Sequence, residues 1–439
     1  MKINEERLLS RLHTLKGFTA TPQKGVTRFS FSREDAAARE YILMAAKEAG
    51  CTVAIDALQN IRIGLKTNVP GRASVIAGSH IDTVRNGGWL DGIYGVCGAF
   101  EVLETLSEHI NEASKKGGLS AEDMTYNYEV VIFAEEEGSN FGSTMTGSKF
   151  VTGFYKESDL DKLMDDDGRT LRQRLISLPV HSDRYSVDIY SDTAFDSGSI
   201  FWDFDNIKSM LELHIEQGPV LDREGLSIGI VDAIYGMRVV EVLLTGIGNH
   251  AGATPMDIRY DALCAAAECI LAAEKVAGDA MYENTVATIG KVEVMPNCSN
   301  VIPESVKFTI DVRDKDEDMI NGCTDDIIRQ IQAVAQARNI SCTINEHSKS
   351  SPLHLTARLI QSMERHAAET GAAYKVMDSG AVHDACMVAH FVDTGMIFVP
   401  SIDGRSHVPE ENTDEKDLAS GVQFLMDTVL SEIEMKTEV

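Results

Sequence analysis

ASVIAGSHIDTVRNGGWLDGIYGVCGAFEVL, residues 73–103, passes from an apolar run through a glycine-rich loop into a helical pattern. ASVIAG suits a short buried strand, and YGVCGAFEVLETLSEHI has the spacing and composition of a helix. Between them, His80, Asp82 and Asp91 stand among small residues. A strand feeding a loop and then a helix is the repeating unit of an α/β sheet, in which ligands bind beyond the carboxyl ends of the strands. Gly87 and Gly88 would let the chain turn back, so that His80 and Asp91 reach one cation.

Outward from this segment the alternation continues. SREDAAAREYILMAAKEAG, from Ser32, has an N-cap residue, early acids and a glycine stop, and is expected to be a helix. CTVAIDAL and NIRIGLK alternate and predict a hairpin around Asn60, while YEVVIFAEEE is a second apolar run that ends in acids. Residues 151–205 are polar and irregular, with helices expected at ESDLDKLMDDDG and TLRQRLISL, before SMLELHIEQ resumes strand character. From about residue 229 the pattern becomes strands in pairs with two helices: GIVDAIYG, RVVEVLLTGIG, helix MDIRYDALCAAAECILAAEKVAG, TVATIGKVEV, SVKFTIDVR, helix DEDMINGCTDDIIRQIQAVAQAR, and ISCTINEH. After about residue 350 a helix, strand and helix return, including the strand GMIFV and a final helix EKDLASGVQFLMDTVLSEIEM. The expectation is an α/β protein with a discontinuous catalytic domain, residues 1–228 and 350–439, built on a central mixed sheet flanked by helices. A smaller α+β domain of ferredoxin-like type, residues 229–349, is inserted into it.

Composition narrows the function. The chain has 439 residues, too many for one compact core, with 44% hydrophobic and 25% charged residues. Forty Lys and Arg face 68 Asp and Glu, and a net charge of −28 disfavours the phosphate neutralisation that nucleic-acid binding needs. An anionic small substrate would need a locally placed arginine or imidazole, because the overall field repels it. The eight cysteines show no CxxC and sit mostly in apolar segments, as expected of reduced thiols. The stretch MKINEERLLSRLHTLKG is charged, and no apolar run approaches the ~18 residues that span a bilayer. A cytoplasmic protein with neither nucleic-acid nor membrane partner is expected.

Four strand-like segments end in potential metal ligands: ASVIAGSHID in His80 and Asp82, VVIFAEEEG in Glu135, Glu136 and Glu137, MLELHIEQG in His214 and Glu216, and GMIFVPSIDGRSHVPEE in His407. Singly, each has a plainer reading, since a lone histidine is usually a structural one and an acidic triplet a solvated face. A buried strand such as VVIFA, however, rarely ends in three adjacent carboxylates without a cation or donor to offset their repulsion. With Asp91 the set offers imidazoles and carboxylates of the kind that hold zinc, manganese, cobalt or nickel. His383 in AVHDA competes with His407 as the last ligand, and His407 is preferred because it follows the apolar strand. Walker A and HExxH motifs are absent, and GIGNHA, residues 246–251, mimics a dinucleotide loop without the βαβ context.

GSHIDTVRNGGWLDGIYGV, AEEEGSNFGSTMTGS, LELHIEQGPVL, GNHAGATPMDIRYDA, PNCSNVIPESVKFTIDVR, SGAVHDA and GRSHVPEE run in order from about residue 75 to 411. Together they resemble the dinuclear-metal amidohydrolases of the aminoacylase and carboxypeptidase clan. Within it they resemble the branch of N-carbamoyl-L-amino-acid hydrolases, allantoate amidohydrolases and β-ureidopropionases. ELHIEQGPVL is the most branch-specific stretch, because other clan members usually place a carboxylate where His214 stands. The resemblance implies that His80, Asp91 and His214 hold one divalent ion and that Asp91, bridging, holds a second with Glu137 and His407. It makes Glu136 the general base and Asp82 the residue that hydrogen-bonds His80 and fixes its tautomer. Gln217, His250, Asn300 and Arg313 would contact substrate, with Arg313 clamping its carboxylate and His250 and Asn300 polarising its carbonyl oxygen. Two cations sharing Asp91 would acidify a bridging water, whose proton Glu136 could take and pass to the leaving nitrogen. The resemblance also implies closure of the inserted domain on the other and a homodimer formed through it. Two positions depart from the family pattern: Asn140 stands where arginine is common, and Trp89 where a charged or smaller residue is frequent.

The implied activity is hydrolysis of the carbamoyl or ureido C–N bond of a small carboxylate, an N-carbamoyl-L-amino acid or allantoate, with release of ammonia and carbon dioxide. An aminoacylase or dipeptidase of the same clan is the alternative enzyme. A non-catalytic metal-binding protein is a third reading, whose mark would be loss of the base or a ligand. Glu136 and all five ligands are present.

Overall fold

The computed structural model describes residues 1–115, 123–177 and 202–434. The chain divides into two compact units, one of Met1–Asp232, Leu355–Met377 and His383–Val439, the other of Ala233–His354 and Asp378–Val382.

At the centre of the first unit, strands Asn127–Phe133, Ser74–His80, Ile207–Ile215 and Asp393–Val399 lie side by side and parallel. Ile61–Gly64 and Thr52–Ile55 extend one edge antiparallel, and Ile228–Ile234 pairs antiparallel with the other. Every residue of Ser74–His80 is buried, as are all but one of Asn127–Phe133 and Ile207–Ile215. Strands covered on both faces read as continuous apolar runs, which is why ASVIAG and VVIFA lack alternation. Helices Ile93–Lys115 and Glu415–Glu432 are joined by the Tyr94 hydroxyl, which donates to Leu418 O at 2.7 Å. Each fully buried Leu, Ile or Val contributes about 1.5–3 kcal/mol, and Leu211, Leu213, Ile397 and Val422 are all fully buried.

The second unit follows a β-α-β-β-α-β course: Gly236–Thr245, Ala262–Ala277, Val286–Met295, Ser305–Asp314, Glu317–Ala337, Ser341–Ser350. Its sheet is antiparallel throughout, with Gly236–Thr245 and Ser305–Asp314 central and Ser341–Ser350 and Val286–Met295 at the edges. Ser305–Asp314 alternates strictly, so Val306, Phe308, Ile310 and Val312 meet Ala265, Cys269, Ile327 and Ile331 of the helices.

The helices expected at Ser32 and from Asp316 have their N-caps there: Ser32 accepts from Asp35 N and Asp316 from Asp318 N. Two expectations need correction. ESDLDKLMDDDG forms only the short 3₁₀ turn Glu157–Asp161, because the Asp165 carboxylate accepts from Asp167 N and Arg169 N and closes a local turn instead. The helix expected from Met256 starts at Ala262, where Asp261 caps it, and Met256–Ile258 is a separate 3₁₀ turn after Pro255. The charged N-terminal stretch forms a helix, Glu5–Lys16, that buries Leu8, Leu12 and Leu15 on one face. Part of the irregular stretch, residues 178–201, and Met435 of the last helical pattern lie outside the described residues. No cysteine is disulfide-bonded, and among the described residues no helix is long and apolar enough to cross a membrane.

Candidate metal centre

The four parallel strands of the first unit deliver their carboxyl ends to one place. His80 ends its strand, His214 is the penultimate residue of Ile207–Ile215, Glu135–Glu137 follow Phe133, and His407 lies in the loop after Val399. Two ligand clusters result, His80 with Asp91 and His214, and Asp91 with Glu137 and His407, the donor atoms in each within 4.8 Å of one another. Asp91 turns one oxygen to each cluster. Its Oδ1 is 3.5 Å from His80 Nε2 and 3.2 Å from His214 Nε2, and its Oδ2 is 3.3 Å from His407 Nε2. Glu137 Oε2 completes the second cluster, 3.4 Å from His407 Nε2.

The loop that brings Asp91 back to His80 works differently from the sequence expectation. Its left-handed residues are Asn86 and Gly92, not Gly87 and Gly88. Gly92, at φ 66°, must lack a side chain because a Cβ would come within 2.4 Å of the His80 ring. Gly88 is needed for space: a Cβ there would lie 1.9 Å from the Glu411 carboxyl carbon.

Both buried imidazoles are held as one tautomer. His214 Nδ1 donates to Ile215 O at 2.8 Å, and His80 Nδ1 lies 3.1 Å from Asp82 O, so in each ring Nε2 keeps a lone pair, and that of His214 accepts from Gly92 N at 3.1 Å. The Asp82 carboxylate is 3.6 Å from His80 Nδ1 and accepts instead from the main-chain N of Glu136 (3.3 Å) and Glu137 (3.1 Å). The fully buried Asp82 thus anchors the segment carrying Glu136 and Glu137 as well as facing His80.

The electrostatics show what the cluster lacks. Burial pushes Glu137 up to about 8, with Asp91 adding to it, and burial pushes Glu136 well above the carboxylate range against the pull of His80. His214, His407 and His80 outweigh burial at Asp91 and hold it well below that range. Among the described residues no Lys or Arg pairs with Asp82, Asp91, Glu136 or Glu137; their ion-pair partners are histidines. Oε1 of Glu136, Glu137 and Gln217 are buried without a hydrogen-bond partner. Orphaned oxygens, imidazole lone pairs and excess negative charge in one cleft fit two divalent cations.

Gln217 Nε2 donates to Asp91 Oδ2 at 2.7 Å, so this predicted substrate contact also touches the carboxylate common to both clusters. His250, Asn300 and Arg313 belong to the second unit. There, the short ladder pairing His250 with Val301 brings His250 beside Asn300, whose carbonyl accepts from Ala251 N. His250 Nδ1 accepts from Gly252 N and Ala253 N, both at 3.1 Å, which leaves the ring proton on Nε2 as a donor. Arg313 Nε and Nη2 bind Asp311, and its Nη1 donates to Gly380 O at 3.1 Å. His383 is buried edge-on to His214, with ring centroids 4.7 Å apart, and belongs to neither cluster. Asn140 is tied locally, donating from Nδ2 to Ser30 O and from its main chain to Glu135 Oε1.

Sequence reasoning missed the residues behind the ligands. Trp89 has a structural account: it stacks on His13 at 5.1 Å and donates from Nε1 to Glu411 O at 3.0 Å. Glu411 and Arg28 left no local signal. Arg28 is fully buried and donates from Nε to Ile81 O and from Nη1 to Leu15 O and Phe18 O, joining the first helix to the His80 loop.

Comparison with known proteins agrees along the chain. The N-carbamoyl-L-amino-acid amidohydrolase of Paenarthrobacter aurescens is 34% identical over 428 residues, covering 97% of each chain. The allantoate amidohydrolase of Escherichia coli is 34% identical over 413 residues, covering 94% of each. The crystal structure of an amidase of the hydantoinase/carbamoylase family from Burkholderia multivorans matches with a TM-score of 0.84 and 31% identity, covering 99% of each chain. Residues 76–431 match the model of peptidase family M20/M25/M40, and with the parallel-strand cleft and its paired ligand clusters this places the chain in that family.

Proposed function

We propose that the protein is a metal-dependent amidohydrolase that cleaves the carbamoyl or ureido C–N bond of a small carboxylate, an N-carbamoyl-L-amino acid or allantoate, releasing ammonia and carbon dioxide. The observation that carries this is Asp91 shared between two ligand clusters, beside a buried Glu136 whose Oε1 has no partner. The names of relatives similar over nearly the whole chain support the bond type.

When bound, divalent ions supply Lewis-acid polarisation of the scissile carbonyl and make an attacking water more acidic. The chain's own groups do the rest. His80, His214 and His407 present imidazole nitrogen, and Asp91 and Glu137 present carboxylate, to the two clusters. Glu136 Oε1, which has no hydrogen-bond partner of its own, takes the proton of the attacking water and passes it to the leaving nitrogen. In this reading His250 Nε2 and Asn300 polarise the carbonyl oxygen, Gln217 contacts the substrate and Arg313 binds its carboxylate. The ions are zinc, manganese, cobalt or nickel, and the inserted unit is a ferredoxin-like lid through which two chains pair in the cytoplasm.

The test is ammonia release from allantoate, N-carbamoyl-L-amino acids and N-carbamoyl-β-alanine, with added manganese, cobalt or zinc, alongside dipeptides and N-acetyl amino acids. Turnover of a carbamoyl or ureido substrate with no cleavage of the last two classes is the expected result. Cleavage of only dipeptides or N-acetyl amino acids would assign the clan's other activity.

A further inference from the structure

One buried carboxylate outside the ligand set holds both ligand-bearing loops. Glu411 is 1% exposed. Its Oε1 accepts from the main-chain N of Leu90 (2.9 Å) and Asp91 (3.1 Å), and its Oε2 accepts from Ser406 Oγ (2.8 Å) and His407 N (3.3 Å). The donors include the main chain of the bridging ligand and of the histidine that shares its second cluster. The seat is built for this group: Gly88 leaves the space a Cβ would fill, and Trp89 Nε1 holds the Glu411 carbonyl. The indole itself stacks on the His13 ring and has Lys16 Nζ 4.5 Å from its ring centroid.

We propose that Glu411 is a positioning residue that sets the distance between Asp91 and His407, and thereby the affinity of the Asp91–Glu137–His407 cluster for a divalent cation. The inference rests on the metal-hydrolase reading above. Four donors face two oxygens, one of them the single Ser406 hydroxyl proton, for which Asp91 Oδ2 competes at 2.9 Å, and an ionised carboxylate, being acceptor-only, can take all four. Glutamine would present an NH₂ group to one of the two loops and release it. His407 needs the anchor more than its partners do. Its backbone is left-handed at φ 60° and its side chain is 47% exposed, whereas His80 and His214 are buried and fixed through their own Nδ1 atoms. Loss of Glu411 therefore falls on the second cluster, not the first.

The test is cobalt(II) binding to the full metal-stripped chain, followed by equilibrium dialysis and visible absorption, for wild type and Glu411→Gln. Wild type is expected to take up two ions. Glu411→Gln should take up the first as wild type does and bind the second about 10–100-fold more weakly, the range for groups that orient metal ligands. Turnover should then recover at correspondingly higher cobalt with KM unchanged. Two ions bound by the variant with wild-type affinity would overturn the proposal while leaving the metal reading standing; a wild-type chain that binds no ion would remove both. If Glu411→Gln does not fold, Trp89→Phe removes the donor that holds the Glu411 carbonyl without deleting any hydrogen bond to the Asp91 side chain. Weakened second-ion binding there supports the proposal, and unchanged binding overturns it.

Discussion

Glu101 and Glu104, on the helix Ile93–Lys115, and Glu136 and Glu137, beyond the strand Asn127–Phe133, are both acid pairs withdrawn from water, and the chain neutralises only the first. Arg7 binds Glu101 through Nε (2.7 Å) and Nη2 (2.8 Å), and Arg11 Nη2 binds Glu104 at 2.7 Å. Glu101 also accepts from Asn4 N and Thr105 Oγ1, and the Arg11 guanidinium lies 4.5 Å over the Phe100 ring. Glu136 and Glu137 receive no such partner, although the buried Arg28 is close enough for its charge to be felt at Asp82. Arg28 Nε and Nη1 donate to carbonyls, and its Nη2 is buried without a hydrogen-bond partner. Two arginines against two carboxylates dock a helix; carboxylates left without them hold negative charge for a cation from outside.

Glu136→Gln should break the functional side of this contrast most severely. Its main-chain N still meets Asp82 and Glu136 is a member of neither ligand cluster, so the bound metal should be unchanged. Turnover should fall by about 10²–10⁴-fold, the contribution of a positioned general base. Metal analysis and steady-state kinetics on one preparation check it, and turnover within a few-fold of wild type would remove Glu136 from its role. Next in size, stripping the metal with a chelator should abolish turnover and lower the melting temperature, since a ligand at 100–1,000 times its Kd contributes about 2.7–4.1 kcal/mol. Both should return on adding zinc, manganese, cobalt or nickel. A melting temperature unmoved by the chelator would mean that the acids of the cleft are stable without a cation, against the electrostatic argument.

What was legible in the sequence was what leaves a local trace. Apolar runs that stop in His, Asp or Glu marked the strand ends, because burial on both faces forces the run and the cleft supplies the polar stop. Ser32 showed as a cap because its partner, Asp35 N, lies three positions along. Glu411 did not show, because its donors at Leu90 and Asp91 lie some 320 positions away and PEE reads as a solvated turn. The glycines divide the same way. Their presence signalled a tight loop, but whether Gly88 serves conformation or space depends on what stands opposite, and that is Glu411. The acidic run at Asp165–Asp167 misled through helical spacing, since the Asp165 carboxylate prefers nearby main-chain donors to a helix.

The structural side of the contrast is tested at Arg11, which is 5% exposed. Arg11→Met leaves Glu104 short of a cation, and breaking a buried pair from one side costs about 3–5 kcal/mol. Arg7 Nε, 3.2 Å from Glu104, should keep the loss near the lower figure. The loss depends on pH. Burial already pushes Glu104 up from 4.5 against Arg11 and Arg7, and removing Arg11 raises it further. A carboxyl whose folded value is raised favours the folded state fully below its unfolded value, and that advantage is lost as pH rises through the folded one. Denaturant titration should therefore show the full deficit of Arg11→Met at neutral pH and a smaller one as pH falls toward 4 and Glu104 protonates. Adding Glu104→Leu removes the stranded charge, and the double variant should return to within about 1–2 kcal/mol of wild type, because an apolar pair can replace a buried ion pair at little cost. Metal content and turnover should be unchanged in both, since neither residue contributes to the ligand clusters. If the double variant stays as unstable as Arg11→Met, the arginine matters through its packing on Phe100 and not through the charge it supplies, and the two acid clusters differ in more than their counter-ions.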